Sequence, residues 1–322
     1  MKIPASKMVG FNYIKISGTS MQSGPQTSSL NSHTLAELIS NIARSDGDYD
    51  TDIPGVMMFR RSKVTDPMPC IYGLGLGVTV QGGKRVMLGD QIFDYVTGQS
   101  LVTSLDLPVV SHVTRASIDQ PFLGLGLTLD AHVITQCAAD MNFTAPLKIS
   151  TSLAMSVVTL DQGLLNAITR LASLVSEPQL IPLVAPLIKQ EIIVRLLNSE
   201  HGPILRHLMA AGSPGQQIAK LITWLKRHYT ENIAISDLAD KAHMSESTFR
   251  QHFRAVAGMS PLQYLKHLRL QDARQLMLNE DIDAGSAALR VGYESASQFS
   301  REYTRLFGAP PLRDIKRVRL SI

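Results

Sequence analysis

Between Ile53 and about Asp130 the chain is a succession of short, β-rich apolar runs cut by Gly, Pro and Asp, and on either side the apolar period lengthens to a helical one. The runs are Val56–Phe59, Ile71–Val80, Arg85–Leu88, Ile92–Val96, Leu101–Ser104, Val109–Thr114 and Phe122–Leu129. Short strands at such spacing predict a sandwich or barrel, with Gln81-Gly82-Gly83-Lys84 as its best hairpin turn. Upstream, Leu35, Leu38, Ile39 and Ile42 mark a helix that ends at the polar turn Ser45–Asp52. Downstream, Leu164, Leu165, Ile168, Leu171 and Leu174–Val175 form one helical stripe and Ile181–Leu197 a second. The second is apolar enough to be buried in its own chain or to face another copy in a homodimer.

Residues 1–30, rich in Ser, Gly, Thr and Gln, read as a poorly ordered arm. The segment 201–215 carries Gly202, Pro203, Gly212, Pro214 and Gly215 and reads as a linker. The expectation is therefore an α+β chain of two domains. The first spans 31–200, with strands over about 53–130 and helices over about 162–199; the second, all-α, spans 216–317.

That second domain repeats itself. At an offset of 50 residues, Ser245, Ser247, Phe249, Phe253, Gly258, Pro261 and Leu262 meet Ser295, Ser297, Phe299, Tyr303, Gly308, Pro311 and Leu312. One supersecondary unit is used twice. In the first copy, about 236–257, Ser236 is expected to cap Asp237–Ala242, His243-Met244 turns the chain, and Ser245 caps a helix to Ala257. In the second, about 284–307, Ala284–Arg290 precedes Val291-Gly292-Tyr293, and Ser295 with Gln298 forms a capping box for a helix to Phe307. This is the helix-turn-helix pattern.

The second helix of each copy has two faces. Phe249, Phe253 and Val256, like Phe299, Tyr303 and Leu306, form the core stripe. Ser247, Arg250, Gln251 and Arg254 point away from it, as do Ser297, Ser300, Arg301 and Arg305. Such a surface suits a major groove, where Arg pairs with guanine O6/N7 and Gln with adenine N6/N7. Solvated helix faces would look alike on one helix; their recurrence in two copies favours DNA. Between the copies, Ser260-Pro261 opens a helix of some 18 residues. At 1.5 Å each it spans roughly 27 Å, approaching the ~34 Å of one DNA turn. The copies differ in sequence, so one chain is expected to read an asymmetric site.

The stretch from about Ile218 to Lys316 closely resembles the DNA-binding domain of the AraC/XylS family of bacterial transcription regulators. Leu238-Ala239, Met244-Ser245, Phe253, Gly258-Met259-Ser260-Pro261, Arg269-Leu270, Ala273-Arg274, Val291-Gly292-Tyr293, Phe299-Ser300-Arg301 and Phe307-Gly308-Ala309-Pro310-Pro311 carry the likeness. The N-terminal part is similar to the regulatory domain of one branch of that family. Pro54-Gly55, Tyr72, Val80-Gln81-Gly82, Lys84-Arg85, Gly89-Asp90, Ser104-Leu105-Asp106-Leu107-Pro108, Val113-Thr114-Arg115-Ala116 and Leu127 with Leu129-Asp130 carry that match. The resemblance implies a cupin-like β-barrel holding a small-molecule effector, often in a dimer. It also implies promoter DNA and RNA polymerase as partners, usually to activate transcription. At the positions matching the family's base-contacting residues stand Ser247, Arg250 and Gln251, then Ser297, Ser300 and Arg301.

Charge agrees with this division. Residues 214–322 hold 16 Lys and Arg against 11 Asp and Glu, so the last third carries all of the chain's net charge of +4. With 44% hydrophobic and 18% charged residues, the 322-residue chain can bury real cores, and no apolar run is long enough to cross a bilayer. No signal peptide is readable, two cysteines cannot staple a fold this size, and a cytoplasmic protein is expected.

Other chemistry finds little footing. The alternations Gly73/Gly75/Gly77 and Gly124/Gly126 read as small residues on one strand face rather than a dinucleotide fingerprint. His112 stands alone in the strand region, so neither a metal site nor a triad with Asp106 is supported, and no cofactor or enzymatic activity is expected. Cys70, near Arg60, Arg61 and Lys63 in sequence, is a candidate redox or electrophile sensor against the commoner packing role, which Cys137 also takes. The competing function is a cupin-type ligand-binding or catalytic protein whose basic helical part is an interaction module.

Overall fold

Strand alternation sorts the N-terminal half into two antiparallel sheets. The computed structural model describes residues 30–141, 154–209 and 212–320. Six strands, β1 (Gly47–Asp50), β2 (Val56–Arg61), β4 (Gly75–Gln81), β7 (Gln99–Thr103), β9 (Phe122–Thr128) and β10 (Met155–Thr159), pair in the order β1-β2-β9-β4-β7-β10. Four others, β3 (Met68–Tyr72), β5 (Gly83–Leu88), β6 (Gln91–Val96) and β8 (Leu107–Arg115), pair as β3-β8-β5-β6. The sheets face each other as a cupin-like sandwich.

The outer face of the six-stranded sheet is covered by helices α1 (Leu30–Ile42), α2 (Ala131–Asp140), α3 (Gln162–Ser173), α4 (Ile181–Asn198) and α5 (Gly202–Met209). Leu76, Val78, Leu125 and Leu127 from the strands share one core with Leu35, Ile39, Ile168, Leu171, Ile192 and Leu196 from the helices. Burying each such side chain contributes about 1.5–3 kcal/mol. The strand positions between them, Gly75, Gly77, Gly124 and Gly126, therefore fall on the inner face, against the second sheet.

Seven further helices form the C-terminal part: α6 (Pro214–His228), α7 (Ile235–Lys241), α8 (Glu246–Ala257), α9 (Pro261–Asn279), α10 (Ala284–Arg290), α11 (Ala296–Phe307) and α12 (Pro311–Leu320). The two helix-turn-helix units are α7–α8 and α10–α11, and α9 packs against both.

Several expectations need correcting. Ile71–Val80 is two strands, β3 and β4, in different sheets, because the chain crosses at Gly73-Leu74 without changing its alternation. Gln81–Lys84 is likewise a crossing between sheets, with Gly82 at φ 85°, and the tight hairpin is instead Gly89-Asp90 between β5 and β6. The stretch expected as a linker holds α5, whose Leu205 is buried in the N-terminal core. Ser236 lies inside α7, which starts after Ala234 without a side-chain cap. At α11, Ser295 accepts from the Gln298 amide, but the Gln298 side chain turns to Glu302; the reciprocal box belongs to Ser260 and Gln263 at α9. Strands β1 and β10 escaped the sequence reading, being short and, in β1, charged. Apart from Leu30, the arm expected over residues 1–30 lies outside the described residues.

Candidate nucleic-acid interface

Each second helix of the repeat is delimited by the same devices. Ser245 and Ser295 cap the N-termini of α8 and α11, accepting from the amides of Thr248 and Gln298. Gly258 and Gly308 close the C-termini at φ 70° and 75°, in the left-handed region that only glycine enters without strain. Inward, Phe249, Phe253, Phe299 and Tyr303 are fully buried. Phe249 meets Phe253 edge-on at 5.6 Å, and Phe253 meets Tyr264 of α9 at 5.5 Å. These rings fix the rotation of α8 about its axis, and with it the direction of the opposite face.

On that opposite face Ser247, Arg250, Gln251 and Arg254 of α8 are exposed, as are Ser297, Arg301 and Arg305 of α11; Ser300 is half-buried. Arg250 is held by Glu246 one turn earlier at 2.8 Å, both side chains more than half exposed. An exposed pair of this kind contributes only about 0–1 kcal/mol and is screened by salt, so a stronger acceptor displaces Glu246 easily. Ser247 and Ser297 lie by their capping serines, 3.2 and 2.9 Å between hydroxyl oxygens. The sequence-derived residues thus form two exposed polar surfaces on matching helices.

The two units rest on α9 in different ways. Lys266 reaches Glu302 of α11 at 2.6 Å, and Glu302 also accepts from the Tyr293 hydroxyl and Gln298. Burial pushes the Glu302 carboxyl up, but those donors outweigh it and hold it below the ordinary range. Arg269 donates to the main-chain oxygens of Tyr229 and Glu231, tying α9 to the α6–α7 loop. Beneath the second unit, Arg274 of α9 donates to Asp314 of α12 at 2.7 Å, and Tyr303 donates to the same carboxylate at 2.9 Å. Asp314 is completely buried and Arg274 nearly so.

The first unit also docks on the N-terminal sandwich, a contact the sequence did not reveal. Leu88, Leu107 and Val109 of the four-stranded sheet share one apolar cluster with Ile222, Phe253, Val256 and Leu268. Lys226 of α6 donates to Asp106 Oδ2 at 2.8 Å, and the Tyr264 hydroxyl donates to the Asp106 main-chain oxygen at 2.9 Å. The β5–β6 turn sits on the C-cap of α8 so closely that a Cβ at Gly89 would lie 2.3 Å from the Gly258 oxygen.

Cys70 lies on β3 with 9% of its surface exposed, its sulfur 3.5 Å from the Ser111 hydroxyl. Arg61, expected as a neighbour, is committed to Asp48 and to the Gly47 oxygen. Cys137 is buried in the helical core. Among the described residues no cluster of three or more His, Cys, Asp or Glu is placed to hold a metal, and no helix is long and apolar enough to cross a membrane.

Comparison with known proteins agrees with both halves. Residues 52–204 match the AraC-type transcriptional regulator N-terminus, and residues 238–317 match a helix-turn-helix domain. The chain is 30% identical over 132 residues to the HTH-type transcriptional regulator ExsA of Pseudomonas aeruginosa, covering 41% of this chain and 47% of ExsA. It is 42% identical over 85 residues to the RCS-specific HTH-type transcriptional activator RclR of Escherichia coli, covering 26% of this chain and 30% of RclR. The matches thus span about half or less of these relatives. Among solved structures, ToxT of Vibrio cholerae bound to a naphthyl-substituted butenoic acid shares the fold, with TM-score 0.58 at 12% identity over 82% of this chain and 98% of ToxT. The chain thus carries an AraC-type transcriptional regulator N-terminus followed by a helix-turn-helix domain, the two parts that its resemblance to the AraC/XylS regulators predicts.

Proposed function

We propose that this chain is a sequence-specific DNA-binding transcription regulator whose N-terminal sandwich receives a small-molecule signal. The observation that carries the reading is the matched pair of exposed faces on α8 and α11, both seated on α9. With 19 residues α9 is about 28 Å long, so the two helices suit successive major grooves on one side of a duplex. Arg250, Gln251 and Arg301 read base edges; Arg254 and Arg305, nearer the helix ends, hold phosphates; Ser247, Ser297 and Ser300 make short contacts to either. The partners are double-stranded promoter DNA and RNA polymerase, in the cytoplasm, with activation as the mode. No catalytic step is assigned.

The signal has a physical route. The β5–β6 hairpin carries side chains of the inter-sheet space at its base and rests on the C-cap of α8 at its tip, so a change inside the sandwich moves the first reading helix. Dimerisation falls to α4, which buries Ile188, Ile192, Ile193 and Leu196 in its own chain yet leaves Leu183 and Leu187 exposed by 74% and 66% one turn apart. Cys70 serves mainly as packing, and a sensing role would require the sheet to open.

The test is capture of fragmented genomic DNA from the source organism by the purified protein, followed by sequencing. Recovery of a few promoters sharing an asymmetric motif with half-sites one turn apart is expected. Uniform recovery with and without cell extract, together with stoichiometric metal in the protein, would instead favour the cupin-type ligand-binding or catalytic reading.

A further inference from the structure

The space between the two sheets is chemically lopsided. Its floor is glycine: Gly77, Gly124 and Gly126 turn no side chain inward, while Lys84 and Tyr95, paired across β5 and β6, project from the opposite sheet. The Lys84 ammonium lies over the rings of Phe59 and Tyr72, 5.6 and 5.3 Å from their centroids. It forms no ion pair with any described carboxylate. An ammonium inside a sandwich normally finds an anion, because aromatic faces compensate only part of its lost hydration.

A second anomaly lies on the facing sheet. Asp48, Phe59, Gly124 and Thr79 form one cross-strand row of the inner face. Asp48 is 5% exposed; its Oδ1 accepts from Arg61 at 2.6 Å, but its Oδ2 is buried without a partner. The Thr79 hydroxyl, fully buried three strands further along that row, also lacks one. Native proteins rarely leave such atoms orphaned, since each costs about 1–3 kcal/mol. Arg61 and Asp48 cancel in charge, so Lys84 leaves the site one positive charge in excess.

We propose that the inter-sheet space binds a small hydroxylated organic monoanion, its carboxylate on Lys84 and its hydroxyl facing Asp48 beside the Phe59 ring. The Tyr95 and Tyr72 hydroxyls, kept protonated by burial, border the carboxylate position. As it stands the space holds about one water molecule. The ligand is therefore short, and it enters by displacing that volume and turning the Phe59 ring. The inference rests on the effector reading above, and it names the chemical class that the sandwich selects.

Calorimetric titration of the full chain with glycolate and lactate tests it, beside propionate, which lacks the hydroxyl, and propane-1,2-diol, which lacks the charge. Lactate or glycolate is expected to bind in the micromolar to millimolar range, with propionate about tenfold weaker and the diol undetectable at ~10 mM. Lys84→Met should abolish binding and Lys84→Arg retain it. Gly77→Val should block binding without altering charge, since its first added carbon already lies 3.6 Å from the Tyr95 oxygen. Equal binding of the diol, undiminished lactate binding in both Lys84→Met and Gly77→Val, or no binding of either hydroxy acid would overturn the proposal. Promoter capture by the same preparation keeps the readings apart: specific DNA without hydroxy-acid binding sinks only the ligand class, and loss of specific DNA sinks the regulator.

Discussion

The two helix-turn-helix units are built on one template and stabilised differently. The first shares its apolar cluster with the sandwich, where Leu88 and Leu107 pack with Phe253 and Val256. The second has a cluster of its own, built from Phe299, Tyr303 and Phe307 with Ala287 and Val291, and a buried charge pair beneath it, although α11 also approaches β3 of the sandwich. The polar faces match, so the difference concerns what each unit listens to. A unit whose core continues into the regulatory domain is free to respond to it. A unit with a core of its own meets that domain only at its surface, where α11 approaches β3. Duplication supplied two units, and packing joined one of them to the sandwich through a shared core.

The strongest test removes the closed core's internal support. Asp314→Ala leaves Arg274 buried without its partner and the Tyr303 hydroxyl without its acceptor, and should cost about 3–5 kcal/mol. Hydrogen exchange should rise across α10–α12 while α7 and α8 stay protected; equal loss in both units would break the comparison.

Next in size is a pH effect on the side to which the first unit belongs. His201 is 1% exposed, its ring nitrogens 2.9 Å from the Ser100 hydroxyl and 2.6 Å from that of Ser156, and burial lowers its pKa from 6.5 to about 4. The folded form thus holds the ring neutral while the unfolded chain takes up a proton. Its contribution is complete above pH 6.5 and is lost as pH falls towards 4, on the order of 3 kcal/mol in all. His267, lowered by burial as well, adds to the same slope. Urea midpoints between these pH values should fall for the wild type and fall less for His201→Gln, with protection lost in the sandwich and α6–α8 before α10–α12.

Arg250→Ala and Arg301→Ala should each weaken the cognate site by about 1–3 kcal/mol and relax one base position. Fluorescence anisotropy with single-base variants of the captured motif separates the half-sites, and an effector should shift the Arg250 half-site more than the Arg301 one. Equal weakening on every sequence would move these arginines to phosphate duty.

The smallest expected effect is the tether itself. Lys226 and Asp106 keep 22% and 17% of their side-chain surface, so a double-mutant cycle of Lys226→Ala and Asp106→Ala should give about 1 kcal/mol of coupling. A coupling of zero would leave the apolar cluster alone to join the first unit to the sandwich.

Legibility followed range. The capping serines, the terminal glycines and the polar faces of α8 and α11 are local signals, and the repeat states them twice. The glycine alternation correctly marked strand faces with small residues, but nothing local says what a strand faces. Lys84 carried an unused signal: it stands in phase with Val86 and Leu88, a lysine on the inward side of a strand. Charged β1 and the β3–β4 crossing were opaque because alternation looks the same whichever sheet a strand joins.

The sequence by itself determined the two-part architecture, the duplicated helix-turn-helix unit and the polar faces of α8 and α11, because helix period, caps and turns are written within a few residues of one another. The tertiary structure alone decided that the apolar core of the first unit continues into the sandwich while the second keeps a separate core and meets β3 only through α11. It also brought Lys84 over Phe59 and towards Asp48, facing a sheet whose inner positions include Gly77, Gly124 and Gly126. Those relations join residues tens to more than a hundred positions apart, and only packing and hydrogen-bond satisfaction in three dimensions select them.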